Sequence, residues 1–182
     1  LYTAFRTEFA QALLRRCFDD CRQHRAIRRS EMSEEQAKTR RGLGKMLVVA
    51  SDQAVARQYT EILRGWVPPR ERYNAVRLAV SDMRDAQEAV ASFRLTPDPS
   101  ILVSVGMAYE GLDCPEVTHI ACLTHIRSRP WLEQMIARAT RVDPYGGPWA
   151  QQRAVVYHPD DIMFRQFRHR IETEQGTRAK VR

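Results

Sequence analysis

Five short apolar runs, separated by longer segments of helical periodicity, constrain the fold of this chain most strongly. The runs occupy residues 45–51, 76–80, 101–105, 117–123 and 153–158. Runs of this length and continuity are typical of strands that are buried on both faces. Strands that alternate with helices of about ten to fifteen residues are joined by right-handed crossovers. The sequence therefore predicts an α/β fold, in which helices cover both faces of a parallel sheet in three layers.

The residues before the first strand have a different character. Apolar residues recur at helical spacing over residues 3–28, which predicts a helix, whereas residues 30–44 are polar and charged and predict a linker or a surface segment. Farther along, Asp52 and the pair Ser81 and Asp82 are placed to cap helices. We expect an amino-terminal helix and charged linker over residues 1–44, a main domain over 45–175 and a basic tail over 176–182.

Composition places the chain among globular proteins with a tendency to meet polyanions. Of the 182 residues 43% are hydrophobic and 28% are charged, and 29 Lys and Arg against 22 Asp and Glu give a net charge of +7. Such a balance favours nucleic acid, although many basic domains bind nothing. No apolar run approaches the roughly 20 residues of a membrane span, and no signal-peptide pattern is present. A reducing, cytoplasmic setting without membrane contact is the default expectation.

The four cysteines predict no metal site. Cys17 and Cys21 are four residues apart on the predicted amino-terminal helix, with His24 nearby, but no second Cys or His pair completes a set of zinc ligands. We expect these thiols to be buried or half-buried.

One helix carries polar residues of unusual chemistry. Gln134, Arg138 and Arg141 recur at i, i+4 and i+7, which places them on one narrow face. The other side carries Leu132, Met135, Ile136 and Ala139. A helix that packs on a sheet with its apolar side would present a glutamine and two arginines outward. This pattern indicates a phosphate-handling edge.

Two segments carry a family resemblance. Residues 134–141 read Q-M-I-A-R-A-T-R and resemble motif VI of superfamily 2 helicases, Q-x-x-G-R-x-x-R, with Ala137 in place of the glycine. Residues 105–113, V-G-M-A-Y-E-G-L-D, resemble motif V. The resemblance covers about residues 45–158 and is to the branch of type III restriction and DNA translocase subunits, close to DEAD and DEAH proteins. It implies a carboxy-terminal RecA-like lobe.

The resemblance also implies roles for these residues around ATP. Arg141, and secondarily Arg138, would act as arginine fingers on the γ-phosphate, and Gln134 would bond near that phosphate or the water of the cleft. Gly111 would allow a tight loop with free amides, while Asp113 would accept from a ribose hydroxyl or hold the arginines. ATP with Mg²⁺ would be held mainly by a first lobe.

Contacts to nucleic acid, with DNA favoured over RNA, are implied at Ser51, Ser104 and Gly106. Ser51, the 106–113 loop and the start of the Gln134 helix all follow strands, and ligands of such folds bind outside the carboxyl ends of strands. We therefore expect one site at that edge. A basic helix near the carboxyl terminus, with Arg165 and Arg168, is more typical of a solvated face than of a nucleic-acid contact.

The sequence lacks the features of a complete ATPase. Residues 42–46, G-L-G-K-M, are the nearest approach to a P-loop, but they lack its first glycine and the hydroxyl that binds magnesium. We therefore expect the second motor lobe of an ATP-dependent helicase or translocase, which is inactive without a first lobe. The alternative is a nucleic-acid-binding or scaffold module that has lost hydrolysis, as Ala137 hints. An unrelated nucleotide-binding enzyme is disfavoured, because residues 50–53 form no glycine-rich loop.

Overall fold

The computed structural model describes residues 8–105, 112–126, 128–139 and 141–175. Its centre is one five-stranded sheet with the order β2-β3-β1-β4-β5, in which every neighbouring pair is parallel. The strands are β1 (Lys45–Ala50), β2 (Val76–Ala79), β3 (Ile101–Ser104), β4 (Val117–Leu123) and β5 (Val155–Tyr157). The predicted parallel α/β sheet is therefore confirmed, with a strand at each of the five apolar runs.

Helices cover both faces of this sheet. They are α1 (Glu8–Glu31), α2 (Glu34–Thr39), α3 (Gln53–Trp66), α4 (Arg72–Ala75), α5 (Ala86–Leu95), α6 (Arg129–Ala139) and α7 (Ile162–Gln175). A 3-10 turn at Trp149–Gln151 precedes β5. Among the residues that the structure describes, no helix is long and apolar enough to cross a membrane.

The central strand β1 shows why two helical layers are needed. All six of its residues are buried, and successive side chains of a strand point to opposite faces. Met46 and Val48 join the core beneath α1 and α3, whereas Leu47 and Val49 join the core beneath α5, α6 and α7. A continuous apolar run is stable here only because each face has its own helical cover.

Helix α1 is an integral part of the first of these cores. Leu14, Cys17 and Phe18 have almost no exposed surface and pack in the same cluster as Met46 and Val48. Helix α1 lies against β1, β4 and β5. The boundary at residue 44 stays a prediction, but on the described coordinates the amino-terminal helix shares its core with the sheet.

The helix starts agree with the sequence in part. Asp52 caps α3 as predicted, since its carboxylate accepts from the amide of Val55 at 2.9 Å. The predicted cap at Ser81 and Asp82 is wrong, because α5 begins four residues after Asp82, at Ala86. The segment 30–44, predicted to be a linker or a surface segment, lies at the surface over α2, which has no buried residue. The start of α2 is stabilised by a capping box at Ser33.

The glycine-rich segment before β1 has a structural role. Lys45 is 1% exposed, and its Nζ donates at 2.5 Å to the carbonyls of Phe93 and Thr96 at the end of α5. This geometry favours a cation, because the last carbonyls of a helix carry partial negative charge. Burial lowers the pKa of Lys45. A P-loop lysine follows a strand and reaches a phosphate, whereas Lys45 begins a strand and caps a helix.

Candidate functional site

The two serines predicted to contact nucleic acid lie on neighbouring strands at the carboxyl edge of the sheet. Ser104 ends β3 and is paired in register with Val49 of β1, and Ser51 directly follows β1. Ser51 is 9% exposed, and its Oγ lies 3.2 Å from Asp52 Oδ2. Ser104 has no exposed surface, and its Oγ has no hydrogen-bond partner. Of the two, only Ser51 presents some surface to a ligand.

Part of the predicted motif V loop cannot be placed. Gly106 and Gly111 lie outside the described residues, as does the stretch between them. The description resumes at Leu112, which is buried, and continues through Asp113 and the buried Cys114 to β4. Asp113 therefore belongs to the end of the connection, where the chain approaches the amino end of β4.

Helix α6 is amphipathic in the predicted sense. Leu132 and Met135 are fully buried beneath the sheet and Ile136 is partly buried, whereas Gln134 and Ala137 are exposed. The exposed position of Ala137 leaves room for its methyl group, and alanine favours a helix. The helix itself also includes Arg138 and Ala139, but their side chains lie outside the described part.

The predicted helical face is wrong at its last member. Helix α6 ends at Ala139, so Arg141 is not on the helix with Gln134. It lies in a bend beyond the helix end, where a helical wheel no longer fixes its direction. The orientation of Arg141 is set instead by a tertiary contact.

That contact is an ion pair with Asp113. The Nη1 of Arg141 donates to Oδ1 of Asp113, 28 residues away in sequence. The Arg141 side chain is 47% exposed and that of Asp113 is 56% exposed. An exposed pair of this kind adds little to stability. It does hold the guanidinium at the surface in a defined place, with its other donors available.

The predicted site residues divide between the two edges of the sheet. Arg141 lies beside Gly42, Pro115 and Val117, which precede or begin β1 and β4 and so mark the amino edge. Ser51 and its neighbour mark the carboxyl edge, about 20 Å away for a six-residue strand. The expectation of one site at the carboxyl edge is therefore wrong for Arg141 and Asp113. Helix α6 runs back across the sheet and brings Arg141 to the amino edge, whereas Asp113 reaches that edge at the end of the connection between β3 and β4.

A cleft of about 570 Å³ opens at the amino edge, and we call it the amino-edge cleft. One wall is the end of α1, with Ile27, Arg28 and Glu31, and the floor is formed by Gly42 and the start of β4. The other wall is the segment 141–154, which includes Arg141 and the 3-10 turn. This cleft is not predictable from the sequence, because its walls come from parts of the chain that are far apart in sequence.

A buried polar cluster lies next to the cleft, between α1, β4 and β5. Asp20 Oδ2 accepts from the hydroxyl of Tyr157 at 2.6 Å and lies 3.5 Å from Nε2 of His119. The Nδ1 of His119 lies 2.8 Å from the hydroxyl of Thr118, and the ring of His24 stands edge-on to it, with centroids 5.4 Å apart. Burial lowers the pKa of His119 to about 4, with His24 lowering it further and Asp20 opposing.

Neutral His119 makes the stability of this fold depend on pH. The folded-state pKa of about 4 lies below the ordinary value of 6.5, so the unfolded chain binds a proton first as the pH falls. The contribution of neutral His119 to the free energy of unfolding is complete above about pH 6.5 and is lost as the pH falls toward 4. A difference of about 2.5 between the folded and unfolded pKa values corresponds to at most about 3 kcal/mol. His119→Gln is expected to flatten the unfolding free energy measured in urea between about pH 7 and about pH 4.5.

The exposed His169 supplies the control for this prediction. His169→Gln replaces an exposed histidine on α7, outside both cores, and is expected to leave the dependence of the unfolding free energy on pH as it is in the wild type. Equal slopes for wild type and His119→Gln would show that another group causes the loss of stability in acid.

The cysteines and possible metal ligands were also located. Cys17, Cys21, Cys114 and Cys122 are all buried, and the burial of Cys17 and Cys21 agrees with the prediction for that pair. Burial raises the pKa of Cys21 to about 12 and that of Cys114 to about 11. Over the described ranges, no three His, Cys, Asp or Glu side chains are grouped so that they could hold a metal ion.

Comparisons with known proteins bear on the fold. No protein-family model matches the sequence. The type I restriction enzyme EcoKI endonuclease subunit of Escherichia coli strain K12 is 38% identical over 66 residues, which is 36% of this chain. The chain spans only 6% of the length of that curated relative.

A solved structure extends the comparison to most of the chain. The C-terminal domain of a Dbp5 variant from S. cerevisiae, bound to a Gle1 variant and IP6, superposes with a TM-score of 0.50 at 14% identity. The match covers 73% of this chain and 70% of that one. At this identity the likeness concerns the architecture. The chain therefore has a RecA-like α/β fold.

Proposed function

We propose that this chain is the second motor lobe of an ATP-dependent nucleic-acid helicase or translocase. In this proposal Arg141 contacts ATP that a first lobe holds, and the carboxyl edge of the sheet contacts nucleic acid. The RecA-like fold supports the assignment to a motor lobe. The observation that carries the proposal is the exposed Arg141, held by Asp113 at the end of the connection between β3 and β4.

The chemistry of the guanidinium explains why this arrangement suits phosphoryl transfer. Arginine has five N–H donors in a planar fork, and Asp113 receives only one of the donors of Arg141. The others are free to match the oxygens of a γ-phosphoryl group, over which negative charge spreads during hydrolysis. Mg²⁺ on the first lobe would neutralise further charge on the nucleotide. Asp113 acts here as a positioning residue.

Two residues of α6 also belong to the proposed site. Gln134 is exposed on the helix one and a half turns before its end, and Arg138 follows one turn later. We propose that Gln134 orients a water or phosphate oxygen and that Arg138 assists Arg141. Gly111 is proposed to free backbone amides beside the nucleotide. The helix with Ala137 in place of glycine is regular, so the substitution leaves this arrangement possible.

We propose that nucleic acid binds at the carboxyl edge, at Ser51 and Gly106, and that Ser104, which has no exposed surface, lies beneath this contact. Contacts of hydroxyls and amides with phosphates position a strand without reading its bases. The net charge of +7 supports a polyanionic partner. DNA is proposed over RNA because the motif resemblance is to DNA translocase subunits.

Measuring ATP turnover in a protein that carries both lobes tests the proposal. Turnover is expected to rise on addition of DNA, and to rise less with RNA of the same sequence. The 182-residue chain alone is expected to hydrolyse no ATP, because a Walker lysine and its magnesium ligands are missing from its sequence. DNA binding without turnover in the two-lobe protein would contradict the motor assignment and support the scaffold module.

A further inference from the structure

The amino-edge cleft exposes an unusual group of apolar side chains. Trp149 on the 3-10 turn is 77% exposed, Val142 is 60% exposed and Ile27 is 51% exposed. All three line the same cleft. A tryptophan with this much free surface is rare, because burying it is strongly favourable. The cleft therefore offers a ring face to a ligand.

The same cleft carries positive charge at fixed positions. Arg28 is held half-buried, since its Nη1 donates to Glu31 at 2.6 Å and its Nε reaches the carbonyl of Gly42 at 3.5 Å. Gly147 lies against this guanidinium, because a Cβ there would be 2.9 Å from Arg28 Nη1. Neither of the two hydrogen bonds uses Nη2 of Arg28, and a side chain that is already held in place loses little conformational freedom when it binds a ligand.

Arg153 is a further cation of the cleft, beside Arg28 and Arg141. In the described part of the chain it makes no ion pair, whereas Glu31 is paired with Arg28. Asp143, the other carboxylate of the lining, is buried and accepts from the amide of Tyr145. The acids of this cleft are thus committed to internal contacts, while Arg153 faces solvent.

A flat aromatic face beside fixed and free arginines is the combination that holds single-stranded nucleic acid without regard to sequence. We propose that the amino-edge cleft binds one or two nucleotides of single-stranded nucleic acid, with a base stacked on Trp149 and phosphates at Arg28 and Arg153. A volume of about 570 Å³ suits such a ligand. This site goes beyond the proposed function, which places nucleic acid about 20 Å away at the carboxyl edge.

A protein partner is the competing occupant, since exposed apolar residues also mark protein interfaces. The charge favours nucleic acid: the chain carries +7, and Arg153 of the cleft makes no ion pair among the described residues. The apolar group is also small, with Trp149 as its one aromatic ring within the cleft lining that the structure describes. The site therefore resembles a stacking platform more than a broad hydrophobic interface.

Binding of a fluorescein-labelled oligothymidylate of about 12 nucleotides to the 182-residue chain tests the site. Trp149→Ala is expected to weaken the affinity by about 5- to 150-fold, the range for loss of one base stack. Trp149→Phe, which keeps a ring, is expected to retain most of the affinity. Tyr73→Ala removes another exposed aromatic ring, far from the cleft on α4, and is expected to change the affinity less than about twofold.

The contribution of Arg153 to the affinity is measured from the dependence of binding on salt concentration. Arg153→Gln is expected to lower the slope of log affinity against log salt by about 0.7, the value for one phosphate contact with a single strand. Arg70→Gln makes the same charge change at an exposed residue after α3 and is expected to leave the slope unchanged. Circular dichroism of each variant checks that the fold is intact.

Each result either supports or overturns the binding of single-stranded nucleic acid in the amino-edge cleft. Wild-type affinity in Trp149→Ala, or equal slopes for Arg153→Gln and Arg70→Gln, would overturn it and leave the apolar group as a surface for another protein. Loss of binding in Ser51→Ala alone would place the strand at the carboxyl edge only and would also overturn it. ATP turnover in the two-lobe protein is measured separately, so failure of the motor proposal is distinguishable from failure of this one.

Discussion

Replacing Arg141 with alanine is expected to lower nucleic-acid-stimulated ATP turnover by about 10³-fold or more in a protein that contains both lobes. An arginine supplied in this way to a γ-phosphoryl group contributes about 10³ to 10⁵ in rate in other systems. The exposed ion pair with Asp113 contributes little to folding, so the variant is expected to unfold at nearly the same temperature as the wild type. Steady-state ATP hydrolysis with saturating DNA is the measurement.

Two further variants separate charge from geometry. Arg141→Lys keeps the positive charge but loses the planar fork, and it is expected to recover only a small part of the activity. Arg70→Ala removes an exposed arginine elsewhere and is expected to turn over ATP at the wild-type rate. Normal turnover in Arg141→Ala would rule out the finger assignment, whatever the other variants show.

Replacing Leu14 with alanine is expected to destabilise the fold by about 3 kcal/mol, within the range of about 2 to 5 for a buried leucine. Leu14 has no exposed surface, and it packs from α1 into the core that also contains Met46 and Val48 of β1. The substitution leaves a cavity that a packed sheet cannot close. Urea unfolding of the 182-residue chain, followed by circular dichroism, measures the loss.

A leucine at the surface provides the matched control. Leu95 at the end of α5 is 60% exposed, and Leu95→Ala is expected to change stability by less than about 0.5 kcal/mol. If Leu14→Ala were equally mild, α1 would be an appendage that folds apart from the sheet. A loss of about 3 kcal/mol in a single cooperative transition would instead establish that the first 44 residues and the lobe fold together.

The elements of the fold were largely predictable because they depend on local pattern. The continuous apolar run of β1 and the capping carboxylate of Asp52 are signals that act within a few residues. The buried side of α6, with Leu132 and Met135, likewise follows from a repeat of 3.6 residues. Ser81 and Asp82 do not cap α5, because serine and aspartate side chains can also form hydrogen bonds to the backbone in a turn where no helix begins.

The candidate site was predictable only in its residue types. The helical repeat over residues 134–141 predicts one shared face only if the helix continues to Arg141. Helix α6 ends at Ala139, and Arg141 is oriented by Asp113. A helix end depends on what the following residues contact, which a pattern does not contain. Trp149 is not among the predicted site residues, although a tryptophan in the polar stretch 146–152 indicates an exposed ring.

The sequence alone was sufficient for the layered α/β architecture, the five strands and the presence of a glutamine and two arginines near one helix. The tertiary structure decided which of these groups meet. A helix that connects two parallel strands runs from the carboxyl edge of the sheet back to its amino edge. Residues before and after such a helix therefore lie at opposite edges. Ser51 thus lies at the carboxyl edge, whereas Arg141 and Asp113 lie at the amino edge beside a cleft built from α1.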